Sequence, residues 1–244
     1  MDKETLQPME SFPVSFRVIC VGEELSGVFR SIFSMGVDGV LVQSTTMFPN
    51  PTPSEEDKMV IILTNGRTPL LESIGRSFYQ AGVLTLIVTT ELFETKETIC
   101  DALTVASIES MYSIVKGLLN PLLKPCLIAY DFHDMYVTLH NAGSFKMIES
   151  SSEIIENRIG DAISKFSTKT GSDKISHVEN ATIIIYYNRN TTEPLSVSEF
   201  NPLTDYLTKM PEDISVIWAV IYDDDMSTNE IRLEAILSGK KLEL

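Results

Sequence analysis

Positive charge is what this chain has least of. Lys and Arg number 19 against 34 Asp and Glu, giving a net charge of −15 over 244 residues. Binding phosphates requires clustered cations, so nucleic acid and anionic lipid surfaces are excluded as partners. The lone basic pair, Lys240-Lys241, reads as part of a solvated tail over 240–244. Cysteine is equally sparse. Cys20, Cys100 and Cys126 lie far apart in apolar surroundings with no Cys/His ligand spacing, which reads as buried free thiols in a reducing compartment. His133, His140 and His177 fit no zinc pattern, so no metal is expected. No apolar run reaches the roughly 18–20 residues that span a bilayer. The start, MDKETLQPMESFP, is too polar and acidic for a signal peptide. Direct membrane contact is therefore not expected, the expected location is the cytoplasm, and the Asn-x-Thr sites at Asn180 and Asn190 carry no meaning. The GxSxG, Walker and GxGxxG patterns are missing, which removes motif support for serine hydrolase, P-loop and dinucleotide chemistry.

What is present is an ordinary globular composition, 43% apolar and 22% charged, long enough to bury a large core. Residues 1–14 read as a flexible lead. FRVICV (16–21), VDGVLV (37–42), MVIILT (59–64) and VLTLIVT (83–89) are short apolar runs that predict buried strands. Helical spacing separates them at 25–35 and 69–82, the second starting at Pro69. Three prolines in STTMFPNPTPSEED (44–57) predict a loop. Strands alternating with helices predict parallel βαβ units over 15–97. The stretch 98–119 is apolar around most of its circumference, which predicts one long helix buried between two layers, ended by Asn120-Pro121. Residues 121–239 change grammar. A short helix follows Asp131, a strand covers 145–148, a helix 154–166, and strands 181–187, 215–222 and 230–237 complete a mixed sheet, with a helix at 197–208. The last two strands read as a hairpin, its DDDMSTN turn being solvated rather than a calcium loop. Trp218 reads as core.

The order of these parts, and several strings within them, resembles the FtsZ/tubulin family. LIAYDFHDMYVTLHNAGSF resembles the loop and helix that follow the family's central helix. VENATIIIYYNRNTTEPLSVSEFNPLTDYL and VIYDDDMSTNEIRLEAILSG resemble its later strand–loop–helix and closing strands. The resemblance spans about residues 16–239 and implies a tubulin/FtsZ-like α/β fold. Its parts would be a Rossmann-like parallel-sheet domain at 15–97, a central helix at 98–120 and a mixed-sheet α+β domain at 121–239. It implies protein partners: self-association, or docking on a filament-forming relative. Family members often carry a C-terminal tail for membrane adaptors; the residues after the last strand show no such peptide.

The departures from the pattern bear on function. Family loops hold GTP with glycines, because only glycine lets backbone N–H groups approach phosphates closely. The first loop here is Gly22-Glu23-Glu24-Leu25-Ser26-Gly27, and the signature loop after the third strand is reduced to Thr64-Asn65-Gly66-Arg67-Thr68-Pro69. A further loop between strands two and three, and a strand and helix before the central helix, also read as missing. Gly22, Ser26, Gly27, Thr64, Asn65 and Gly66 are the remnant of a nucleotide site. No cofactor is expected, and GTP/GDP enters only if the family activity is retained. Asp131 and Asp134 match the two acidic positions that in the family reach a neighbouring protomer's nucleotide site. Their i, i+3 spacing also suits a helix cap, with Asp131 as cap and Asp134 the more exposed and available to a partner. The reading that results is a shortened, divergent tubulin-like protomer or filament-interacting module without efficient GTP hydrolysis. The alternatives are a noncanonical polymerising GTPase, and an unrelated α/β protein with a small-molecule pocket at its strand ends.

Overall fold

The computed structural model describes residues 15–94, 97–174, 177–240 and 242. The expected lead at 1–14, and all of the 240–244 tail except Lys240 and Leu242, lie outside the described residues. The strands of the first half are β1 (Phe16–Val21), β2 (Val40–Ser44), β3 (Met59–Thr64), β4 (Leu84–Thr89) and β5 (Ala102–Val105). Helices α1 (Ser26–Phe33) and α2 (Pro69–Gln80) connect them. All these strands pair in parallel, as short apolar runs covered on both faces should. The connector after β2 is pinned to the sheet. Arg17 donates to Asp57 Oδ1 at 2.7 Å and to the Thr52 carbonyl at 3.0 Å.

The stretch 98–119 is not one helix. Its first part is the strand β5, and the helix α3 runs Ile108–Leu123, passing through Pro121. A proline one turn from the C-terminus removes only one backbone hydrogen bond, so the helix survives it. The second half follows with β6 (Cys126–Ile128), α4 (Phe132–Leu139), β7 (Gly143–Ser152), α5 (Arg158–Lys174), β8 (Asn180–Tyr187), α6 (Asn201–Leu207), β9 (Ser215–Tyr222) and β10 (Ile231–Gly239).

The two halves do not form separate sheets. Pairing of Ala102 with Gly143 and Leu103 with Ser144 fuses them into one sheet of order β2-β1-β3-β4-β5-β7-β10-β8-β9-β6 among the described residues. β9 and β10 are not a hairpin, because β8 lies between them, parallel to β9 and antiparallel to β10. The eight residues joining them are long enough to cross two strand spacings of about 4.8 Å.

Three cores result. One takes side chains from α1, α3 and α4 and from both halves of the sheet: Met111, Val115 and Leu118 of α3 meet Val18 and Ile61 on one side and Ile184 and Ile236 on the other. The reverse face is covered in the first half by α2 and in the second by α5 and α6. Of the thiols, Cys20 and Cys100 are pushed up to about 12 by burial, with Asp101 adding to the rise at Cys100. Cys126 is exposed on the edge strand β6, contrary to its apolar sequence context. Asp223, expected in a solvated turn, is buried between Lys124 and Arg232.

Candidate functional site

The C-terminal ends of β1, β3 and β4 form a crest. Their register pairs Val21 with Thr64 and Thr64 with Thr89, which sets Gly22, Asn65 and Thr90 side by side. Gly22 turns the chain with φ 107° and donates its N–H to Thr45 Oγ1 at 3.2 Å, tying this turn to the end of β2. A left-handed φ of this size demands glycine. A methyl group on Gly22 would lie 2.5 Å from Glu24 Oε1, so the exposed Glu24 side chain folds back against the turn. The second loop repeats this arrangement. Gly66 has φ 113°, and a methyl group there would lie 2.5 Å from Glu91 Oε1. The Thr64 hydroxyl closes the loop by donating to the Gly66 carbonyl at 2.6 Å, and Thr90 Oγ1 donates to Asn65 Oδ1 at 2.7 Å.

The N-terminus of α2 borders the crest. A helix N-terminus attracts anions through its unpaired N–H groups. Here Thr68 Oγ1 accepts from the Leu71 N–H at 3.0 Å, Pro69 has no N–H, and Glu72 of the first turn pairs with Arg67 at 2.6 Å. Gly22, Thr64, Asn65 and Gly66 lie together on the crest, while Ser26 and Gly27 sit exposed in the first turn of α1. Glu91, Thr45 and the Thr68 cap were not singled out from sequence. The Thr-Pro pair at 68–69 is a helix-start signal that marks the last of these. Glu91 is reached only through the register of β3 and β4.

Asp131 and Asp134 are elsewhere. The ring of Phe132, between them, lies 6.2 Å from that of Phe16, at the start of β1. A six-residue strand is about 20 Å long, so the acidic pair and the crest occupy opposite ends of β1. The two aspartates form a reciprocal capping box. Asp131 Oδ1 accepts from the N–H groups of His133 at 2.7 Å and Asp134 at 3.2 Å, and Asp134 Oδ2 accepts from the Asp131 N–H at 2.9 Å. Asp131 is the exposed member and Asp134 is half-buried, the reverse of the expected ranking.

One continuous sheet, parallel in its first half and of mixed order β7-β10-β8-β9 in its second, with α3 packed across both, matches tubulin/FtsZ-like structures. Among solved structures the chain superposes on a point mutant of FtsZ from M. jannaschii with TM-score 0.70 at 16% identity, covering 93% of this chain and 91% of that one. An empty FtsZ dimer from M. jannaschii matches at TM-score 0.66 and 16% identity, over 96% and 95% of the two chains. TubZ of Bacillus thuringiensis serovar israelensis, in GDP-form protofilaments, matches at TM-score 0.60 and 9% identity, over 93% and 84%. At these identities the likeness is one of fold. No protein-family model matches the sequence. No curated protein matches it either.

Proposed function

We propose that the chain is a tubulin-like protomer that associates with copies of itself or with a filament-forming relative, and that it does so without efficient GTP turnover. The observation that carries the absence of turnover is the pair of exposed carboxylates set against the two glycine turns of the crest. Glu24 stands over Gly22 and Glu91 over Gly66. Two unit charges of like sign at about 4 Å repel by about 1 kcal/mol in water and several times that near a protein surface. A triphosphate would bring several such charges to this crest. The capped N-terminus of α2 offers it few N–H donors in return. Association is supported by the fold's company, since one matching structure is a dimer and others are protofilaments. It is supported too by the position of Asp131 and Asp134 at the end of β1 away from the crest, where only a second protomer stacked head to tail would bring them to it. On this reading the protein works in the cytoplasm with protein partners.

Isothermal calorimetry with GTP, with and without Mg²⁺, tests the nucleotide clause. The expected outcome is no binding tighter than about 1 mM, or about −4 kcal/mol. Micromolar binding would overturn this expectation and favour the alternative of a nucleotide-binding protomer. Sedimentation and electron microscopy of the same sample, with and without GTP, test association. A strictly monomeric protein at high concentration under both conditions would overturn self-association.

A further inference from the structure

Beneath α3 the sheet carries a polar stripe that the crest does not use. Side chains alternate along β10, so Arg232, Glu234 and Ile236 face α3 while Leu233 and Ala235 enter the opposite core. Arg232 is anchored. Its guanidinium donates to Asp223 Oδ2 at 2.7 Å and lies 4.6 Å from the centre of the Tyr186 ring. Asp223 also receives Lys124 from the end of α3. Among the described residues Glu234 has no such ion pair. It is 6% exposed and stands directly opposite Glu149 on β7 and Ile184 on β8. The helix rests on it, since a methyl group added to Gly117 of α3 would collide with Glu234 Oε1 and Met147 Cε. The neighbouring Tyr186 hydroxyl is fully buried and approaches Glu234, whose charge it favours, without completing a hydrogen bond of ordinary length and angle. Beside the carboxyl opens a cavity of about 320 Å³, lined also by Thr104, Ser110, Ser113, Lys146 and Glu149, which gives water and protons a way in.

We propose that Glu234 is a proton-operated latch between α3 and the second half of the sheet. Neutral, it lets the helix lie closely over β10. Charged, it demands water or a cation, and the second half of α3 lifts to admit solvent from the cavity. Because α3 packs on both halves of the sheet, the latch sets how firmly they are joined.

Each element around Glu234 contributes to the balance. Burial is the largest influence and opposes the charge. Arg232 on the same strand favours it, but that guanidinium is already committed to Asp223. Glu149 on β7 opposes it, while Tyr186 on β8 and Lys116 on α3 favour it. Lys146 of β7 lines the same cavity, and Tyr130, ahead of α4, senses the Glu234 charge. Burial prevails, and the carboxyl is pushed up to about 7 from 4.5.

Hydrogen exchange of the amides in 117–123, measured on the full chain from pH 5.5 to 8 and corrected for the intrinsic pH dependence of exchange, tests the latch. A carboxyl that regains its ordinary acidity on opening makes opening about 30-fold more frequent at pH 8 than at pH 5.5. Glu234→Gln is neutral at every pH and is expected to hold exchange at the slow, low-pH level throughout. Glu149→Gln removes the opposing charge and is expected to move the midpoint to lower pH. Exchange that is flat in the wild type, or a pH response that persists in Glu234→Gln, overturns the proposal. Should Glu234→Gln fail to fold, a midpoint unmoved by Glu149→Gln overturns it instead.

Discussion

Asp223 and Glu234 are both buried under the same helix, yet they respond to pH in opposite senses. Burial alone would raise the Asp223 carboxyl, but hydrogen bonds from Lys124 and Arg232 outweigh it and hold the group below its usual range. Its contribution to stability is therefore present above about pH 4, the value for an unfolded Asp, and is lost as pH falls through the lower folded value. Glu234 is raised, so its contribution is full below its unfolded value and disappears as pH rises towards 7. Denaturant melts from pH 4.5 to 8 should show stability declining by about 3 kcal/mol over that interval, and Glu234→Gln should remove the decline. Asp223→Ala strands two cations against a buried surface and should cost about 3–5 kcal/mol at pH 7, read from the urea midpoint. At the capping box, Asp131 accepts two N–H groups and Asp134 one. Thermal melts should rank Asp131→Ala, at about 1–2 kcal/mol, above Asp134→Ala, at about 0.5–1 kcal/mol. A larger loss at Asp134 would reverse the assignment. Glycines such as Gly22 and Gly66 were legible in the sequence because they stand directly after apolar runs. Arg232 and Glu234 were not. Glu230, Arg232 and Glu234 alternate with apolar residues, a pattern equally suited to a solvent-facing side, and only the position of α3 shows that this face is covered.

Elements were legible where periodicity and length agreed, and lost where one overrode the other. The apolar runs that became β1, β3 and β4 are fully or almost fully buried, and strands of that kind declare themselves. β5 is only four residues long, and its ALTV merges with the apolar positions of the helix after it, so the two read as one helical stretch. β6 is three residues long and exposed, too short for any periodic signal. β2 begins three residues later than the VDGVLV run, after turns at Gly36 and Gly39 with φ of 57° and 79°. Gly117 shows how tertiary packing reverses a local preference. Inside an exposed helix, Gly→Ala gains about 1 kcal/mol. In α3 the added methyl meets Glu234 and Met147, so Gly117→Ala should instead lower the melting temperature. A stabilised Gly117→Ala protein would mean that α3 stands farther from β10 than described.

At the scale of the molecule, the shared core predicts how the protein comes apart. The core around α3 draws on both halves of the sheet, and β5 joins β7 edge to edge. Unfolding should be one cooperative transition. Fluorescence of the single Trp, Trp218 in β9 of the second half, should follow the same denaturant curve as the far-ultraviolet signal of the whole chain. Separate curves would show that the fusion through β5 is weak. The strand order of the second half was beyond sequence reasoning, because nothing local says that β8 passes between β9 and β10. That order has a consequence for the protein's birth. The last of the described strands in chain order, β10, is a central one, flanked by β7 and β8, both made earlier. The parallel first half can assemble while translation continues. β7 and β8 must wait across an empty strand's width, each with an open edge of unpaired amides and carbonyls. For this protein the most hazardous moment lies between the making of β8 and of β10, and a nascent chain stalled before Ile231 is the one a chaperone would have most reason to hold.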